Sequence, residues 1–257
     1  MTAAPPPTRR HAWPWVVGVL VVLGLVVAAW FLGEWVARDL VTKTIREQAV
    51  TRLALPADQD MDVEVTGAVI PQLIKGTLDE VHISSRDVTV GAFTGDVSAD
   101  LHGVSIRDPG AMRSGSVTVG LDEAQLRALM STVDGFPSDT LGIAAPNVTA
   151  TVELSVFGAR IPIGVALTPS AADGGIVLHP AALQLAGATI GADDLRARFG
   201  SVAQAALRDW DVCVASSLPA GVELRTVAVT GDRLVATFAV DGRIGKDAAL
   251  REKGTCA

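Results

Sequence analysis

The apolar and polar positions of this chain fall into three regimes. From Trp13 to Leu32 every side chain is uncharged and nearly all are apolar; Arg9, Arg10 and His11 precede the run, and the first acid is Glu34. About 20 apolar residues suffice for a helix to cross a bilayer. Trp13 and Trp15 at one end and Trp30 and Trp35 at the other suit the two headgroup layers, and arginines ahead of the run place the N-terminus in the cytoplasm. The expected division is a cytoplasmic tail over 1–12, a transmembrane anchor over 13–35 and an exported domain over 36–257. The rival is a cleaved signal peptide, with Val27-Ala28-Ala29 as a poor cleavage site.

Residues 38–53 then take helical period. Val41, Ile45, Ala49 and Leu53 form one stripe, Arg38, Lys43, Arg46 and Glu47 fill much of the rest, and Pro56 ends the segment. This predicts an amphipathic helix that either continues out of the membrane or packs on the following sheet.

From Asp62 the period becomes two. Strands are predicted over 62–69, 77–84, 86–90, 96–106 and 116–121. Val104 and Ile106 fall out of phase with Val97, Ala99 and Leu101, which predicts a bulge at His102-Gly103. Asp122 and Gln125 form a capping box for a helix whose stripe is Leu126, Leu129, Met130 and Val133. Residues 134–146 read as linking sequence. The clearest alternation is 147–156, with Val148, Ala150, Val152, Leu154 and Val156 on one face. After a turn at Gly158-Ala159, Ile161, Ile163, Val165 and Leu167 return, and Pro162 on the opposite face predicts an edge strand or a bulge. Two short strands over 175–190, helix near 193–209 and a hairpin of 222–230 with 233–240 turning at Gly231-Asp232 complete the pattern. The class is α+β: a transmembrane helix, then a long antiparallel sheet with a few amphipathic helices.

Charge and composition narrow the function. Beyond Arg9 and Arg10 the chain holds 19 basic and 28 acidic residues, a formal −9, which argues against nucleic acid and against broad adhesion to anionic lipid. There is no Tyr, and aromatic residues make up 4%, which weakens sugar or base recognition by stacking. Outside the cytoplasm, Cys213 and Cys256 are most simply one disulfide; two free thiols are the alternative.

Catalytic and metal patterns are absent from the sequence. The histidines His11, His82, His102 and His179 lack HxxxH or HExxH spacing, and His82 reads as a solvent-facing strand residue. There is no GxSxG elbow and no phosphate loop. The acid pairs Asp79-Glu80, Asp122-Glu123 and Asp193-Asp194 fit helix starts and bends better than acid–base work. The expectation is a non-enzyme with no metal and no cofactor.

Within residues 67–106, the turn Ile70-Pro71-Gln72-Leu73-Ile74-Lys75-Gly76, then Val88-Thr89-Val90-Gly91 and Ala99-Asp100-Leu101-His102-Gly103-Val104, resemble the actinobacterial LmeA-like phospholipid-binding family. Leu218-Pro219-Ala220-Gly221-Val222 to Asp241-Gly242 resembles its closing hairpin. The resemblance implies a fold similar to tubular lipid-binding proteins, a long curved antiparallel sheet wrapped on amphipathic helices with an apolar channel, an extracytoplasmic (periplasmic) setting, phospholipid or a related envelope lipid as partner, and a part in envelope lipid or lipoglycan biogenesis. It carries no catalytic residue. If the aliphatic face is a lipid groove, its expected lining is Leu126, Met130, Val148, Val152, Leu154, Ile161, Ile163, Val165 and Phe238. The competing reading is a solid core in a scaffolding envelope protein with a protein partner.

Overall fold

A computed structural model describes residues 13–53, 59–90, 93–108, 110–133, 135–156, 159–172, 174–185, 188–199, 207 and 209–256. The apolar run and the amphipathic segment form one helix, α1 (Trp13–Leu53), about 60 Å long at 1.5 Å per residue. From Leu20 to Leu32 its side chains are exposed. Farther along, Ala37, Val41, Ile45 and Ala49 pack on the sheet, so the predicted stripe is the docking face. The helix is long and apolar enough to span a membrane by length and composition. The side chain of Leu53 lies outside the described residues.

In place of the one long sheet expected, the strands form two. The first has the order β1 (Met61–Val65), β2 (Thr77–Val90), β3 (Phe93–Ser105), β4 (Ser114–Leu121), β12 (Arg233–Asp241), β11 (Val222–Thr230). The second runs β10 (Trp210–Cys213), β8 (Gly175–Leu185), β7 (Ala159–Ala172), β6 (Asn147–Val156), β5 (Gly142–Ala144), with β9 (Ala188–Gly191) also paired to β8. All the pairings are antiparallel. The break falls at α3 (Glu123–Met130), which carries the chain from β4 toward the second sheet. Asp122 and Gln125 form the predicted capping box, with Gln125 N–H donating to Asp122 Oδ1 at 2.8 Å and Asp122 N–H to Gln125 Oε1 at 3.0 Å.

Several expected boundaries shift for physical reasons. The linker 134–146 contains a short helical turn, Ser138–Thr140, and β5, because Leu141 between them is driven into the core. Strand β2 is continuous, and its extra residue lies between Ser85 and Val88, where Asp87 takes a φ of 51°. At Gly103 no residue is inserted: the register is unchanged on both sides, but the Asp79–Gly103 pair drops out of the ladder and Gly103 takes a φ of 62°. Both strands switch face together, so Leu78 and Val104 turn inward. Strand β7 is central rather than at an edge. Pro162 pairs with Glu153 on β6, but the β7–β8 ladder starts at Gly164, so β7 is open on that side where proline falls. The expected turn at Gly158-Ala159 and much of the helix expected near 193–209 lie outside the described residues; α4 covers Ala192–Phe199.

Two cores result. The smaller joins Met61, Val63, Val65, Val69, Leu78, Val81 and Val88 under α1. The larger spans both sheets, with Leu141, Leu167 and Val148 almost wholly enclosed. Burying each such side chain contributes about 1.5–3 kcal/mol. Cys213 and Cys256 are bonded to each other rather than free, and the tail they pin returns past Gly174 and Ala215.

Candidate functional site

The inner and outer faces of the first sheet can be read from its register. One row across six strands is Asp62, Ser84, Ser98, Thr118, Thr237 and Thr226; the next includes Glu64, His82, Asp100 and Ser116. This outer face is polar. It holds a trough of about 540 Å³ lined by Asp60, Asp62, Arg86, Asp96, Ser98 and Arg233 among others. Both of its arginines are paired within it, Arg233 with Asp96 at 2.5 Å and Arg86 with Asp60 at 3.4 Å. His82 lies on this face, half exposed, with Nδ1 2.7 Å from Asp100.

The opposite face is apolar, and its cover is incomplete. Over β1 to β3 it is closed by α1. Over β11 and the far end of β12 it is closed by the larger core, where Leu224, Val227, Leu234 and Ala236 are buried. Between these covers lie Ala99, Val117, Val119 and Val240, joined by Phe238 and by Val222 on β11. All six are half-buried, and of them only Phe238 packs against a core, at its margin. Residues in the middle of a six-stranded sheet are ordinarily enclosed on their apolar side. Here the middle of the sheet presents an aliphatic strip that remains accessible. Such a surface has hydrocarbon contact as its chemistry and no proton to give or take.

Of the expected lining residues whose side chains are described, only Phe238 belongs to this strip; the others lie in the larger core or at its margin. Leu126, Met130, Val148 and Val165 are buried and packed together in the larger core. Val152, Ile163 and Phe238 are half-buried at its margin. The side chains of Leu154 and Ile161 lie outside the described residues. Sequence reasoning missed Ala99, Val117, Val119, Val240 and Val222. The signal was present in the alternation of β4 and β12, but periodicity does not tell which apolar face another element will cover.

The fold also assembles one triad-like constellation. Ser170 Oγ lies 2.9 Å from His179 Nε2, and His179 Nδ1 lies 3.1 Å from Asp209. Ser170 and His179 lie on neighbouring strands of the second sheet and Asp209 just ahead of β10; the serine is half-buried and the other two are exposed. Triads work by aiming charge in a dry, preorganised site, whereas here the histidine and the aspartate are each nearly half exposed to water. No cluster of three or more potential metal ligands occurs among the described residues.

The strip and the long apolar helix both present surface suited to hydrocarbon contact. Comparison with known families agrees: the sequence model for LmeA-like phospholipid-binding proteins matches residues 28–239. The chain therefore belongs to the LmeA-like phospholipid-binding family. No curated protein and no solved structure gives a significant match.

Proposed function

We propose that this protein is a membrane-tethered, extracytoplasmic lipid-binding protein that holds phospholipid or a related envelope lipid by apolar enclosure, in support of envelope lipid or lipoglycan biogenesis. The observation that carries the reading is the accessible aliphatic strip on the inner face of β3, β4 and β12. Tails laid along it shed water, and each methylene so buried contributes about 0.8 kcal/mol. Membership of a phospholipid-binding family supports the ligand class. The Cys213–Cys256 bond supports an oxidising compartment. The exposed apolar half of α1 supports retention at the membrane with the N-terminus cytoplasmic. The tubular comparison enters in this form: α1 and α3 cover parts of a sheet whose remaining apolar face takes the tails.

A second reading is favoured by the larger core, where four expected lining residues are solidly packed: a scaffolding protein whose strip receives a protein partner. Native mass spectrometry of a chain beginning at Glu34, which keeps the packing half of α1, separates the two. Co-purifying phospholipid, or uptake of labelled phospholipid, is expected. A lipid-free domain that also refuses labelled phospholipid would refute the first reading.

A further inference from the structure

The helix α2 (Val69–Lys75) is fastened to α1 where the apolar run ends. Both carboxylate oxygens of Glu34 accept hydrogen bonds from the α2 backbone, from Val69 N–H and, at 3.1 Å, from Ile70 N–H. Arg38 donates to Val65 O at 2.6 Å and Gly67 O at 2.7 Å, holding the loop that enters α2. Gly33 lets Ile70 come close; a Cβ there would lie 3.4 Å from the Ile70 methyl. The far end of α2 is closed by Gly76, whose N–H donates to Gln72 O at 2.8 Å with φ at 83°. The height of α2 relative to the apolar run is therefore fixed by the fold.

What α2 shows to solvent does not suit a water-facing helix. Ile74 is 74% exposed and Leu73 37%, and beside them Ile106 is 42% exposed. Ile106 and α2 are joined directly: Ile106 N–H donates to Gly76 O at 3.0 Å, and Arg107 Nη2 to Ile74 O at 2.9 Å. On the exposed α1 surface at this level, Phe31 and Trp35 are also open. Basic residues surround the apolar group. Lys75 is paired with Asp79, but Arg107 and Arg113 are exposed and enter no ion pair among the described residues. An exposed apolar tip with adjacent guanidinium groups matches the boundary of acyl chains and phosphates.

We propose that α2, together with Ile106, Arg107 and Arg113, forms a foot that seats in the outer-facing headgroup layer of the membrane crossed by α1. Leu73, Ile74 and Ile106 enter the acyl boundary, and Arg107 and Arg113 meet lipid phosphates. The occupant is the bilayer surface itself. This rests on the membrane-tethered reading and adds that the domain does not swing freely on its anchor. It also sets β4 and β12 with Ser114 and Asp241 toward the bilayer, so that the aliphatic strip begins at the membrane. The charge is local, so a net acidic domain is no obstacle.

The test uses the full chain in nanodiscs of phosphatidylcholine with phosphatidylglycerol. The native disulfide leaves no free thiol among the described residues, so single-cysteine variants F31C, I74C, I106C and T237C accept a bimane label. Nitroxide lipids carrying the spin label near the top of the acyl chain then report depth. Strong quenching is expected at position 31, quenching within about twofold of it at 74 and 106, and little at 237 on the outer face. Replacing Arg107 and Arg113 with Gln should at least halve quenching at 74 in these discs. Quenching at 31 without quenching at 74 or 106 overturns the foot and leaves the anchor standing. Absence of quenching at 31 as well overturns both.

Discussion

Val117 and Thr237 test the lipid reading on two faces of one sheet. Val117 lies at the middle of the strip, between Ala99 on β3 and Phe238 on β12; Thr237 is the neighbour of Phe238 but belongs to the polar row with Thr118. Eight methylenes of one tail leaving water along the strip would contribute about 6 kcal/mol, or about four decades in affinity. A carboxylate introduced by Val117→Glu stands in their path with no cation opposite it. The tail must either forgo that part of the strip or bury an unpaired charge, and burying the charge costs more than the methylenes gain. Losing even three or four methylenes costs about 3 kcal/mol, so lipid retention should fall at least a hundredfold. Thr237→Glu adds the same charge in the same sheet and should leave retention unchanged. The folding costs differ far less, about 1–2 kcal/mol for the half-buried valine and about 0.5 kcal/mol or less for the threonine. The assay is native mass spectrometry with a fluorescent phospholipid competition, alongside urea denaturation of each variant. Equal retention in both variants, with both folded, would refute the assignment of the strip as the lipid surface.

Four further outcomes follow from the geometry. Leu167→Ala should lose about 2–5 kcal/mol in chemical denaturation, because Leu167 is enclosed in the larger core, whereas Val117→Ala should lose less than half of that. Reducing the Cys213–Cys256 bond, which links positions 43 residues apart, should lower stability by about 4 kcal/mol in a urea titration with and without reductant. Hydrogen bonds from Arg243 hold the Asp241 carboxyl down to about 2, from an ordinary 3.8. Its contribution is therefore complete above pH 4 and lost as pH falls through about 2; the Asp241 carboxyl carbon should titrate there by NMR, and Arg243→Gln should move the midpoint up. Ser170→Ala and His179→Ala should leave lipid retention and stability within about 0.5 kcal/mol of the parent, and ester substrates should show no hydrolysis above buffer; hydrolysis lost in either variant would revive an enzyme.

How legible each element was depended on whether its determinants were local. The β11–β12 hairpin is bounded in the structure almost as its sequence predicts, because Gly231 supplies a φ of 63° at the turn and alternation is strong on both sides. The capping box of α3 is likewise local. Strand β5 was hidden, since three residues in a Gly- and Pro-rich stretch owe their order to Leu141 being drawn inward. The switch at Gly103 was visible as a phase change, but its form was not: sequence alone cannot show that β2 changes face at the same rung. The division into two sheets was equally invisible, because pairing partners are chosen by packing over long range.

The candidate site shows the same limit in sharper form. The strongest alternation, in β6 and β7, drew attention to Val148 and Val165, and strong alternation is also what a fully enclosed core demands. Val117 and Val119 alternate as well, over a shorter strand, and only the landing sites of α1 and α3 separate them from the core. Residue size then argues about purpose. A strip meant to close on itself would carry bulky side chains at its middle, since interiors pack to a density that leaves few voids. Here the central row runs Ala99, Val117, Phe238, and the row beyond it meets Gly115, where an added Cβ would lie 2.9 Å from Leu101. Small residues in the middle, with one aromatic at the side facing the larger core, leave this row half-buried rather than enclosed. The helix that covers one flank of the sheet is the helix that continues from the apolar run past Gly33, so on the membrane-tethered reading proposed above a tail passing from the bilayer to the strip has none of the polar outer face to cross.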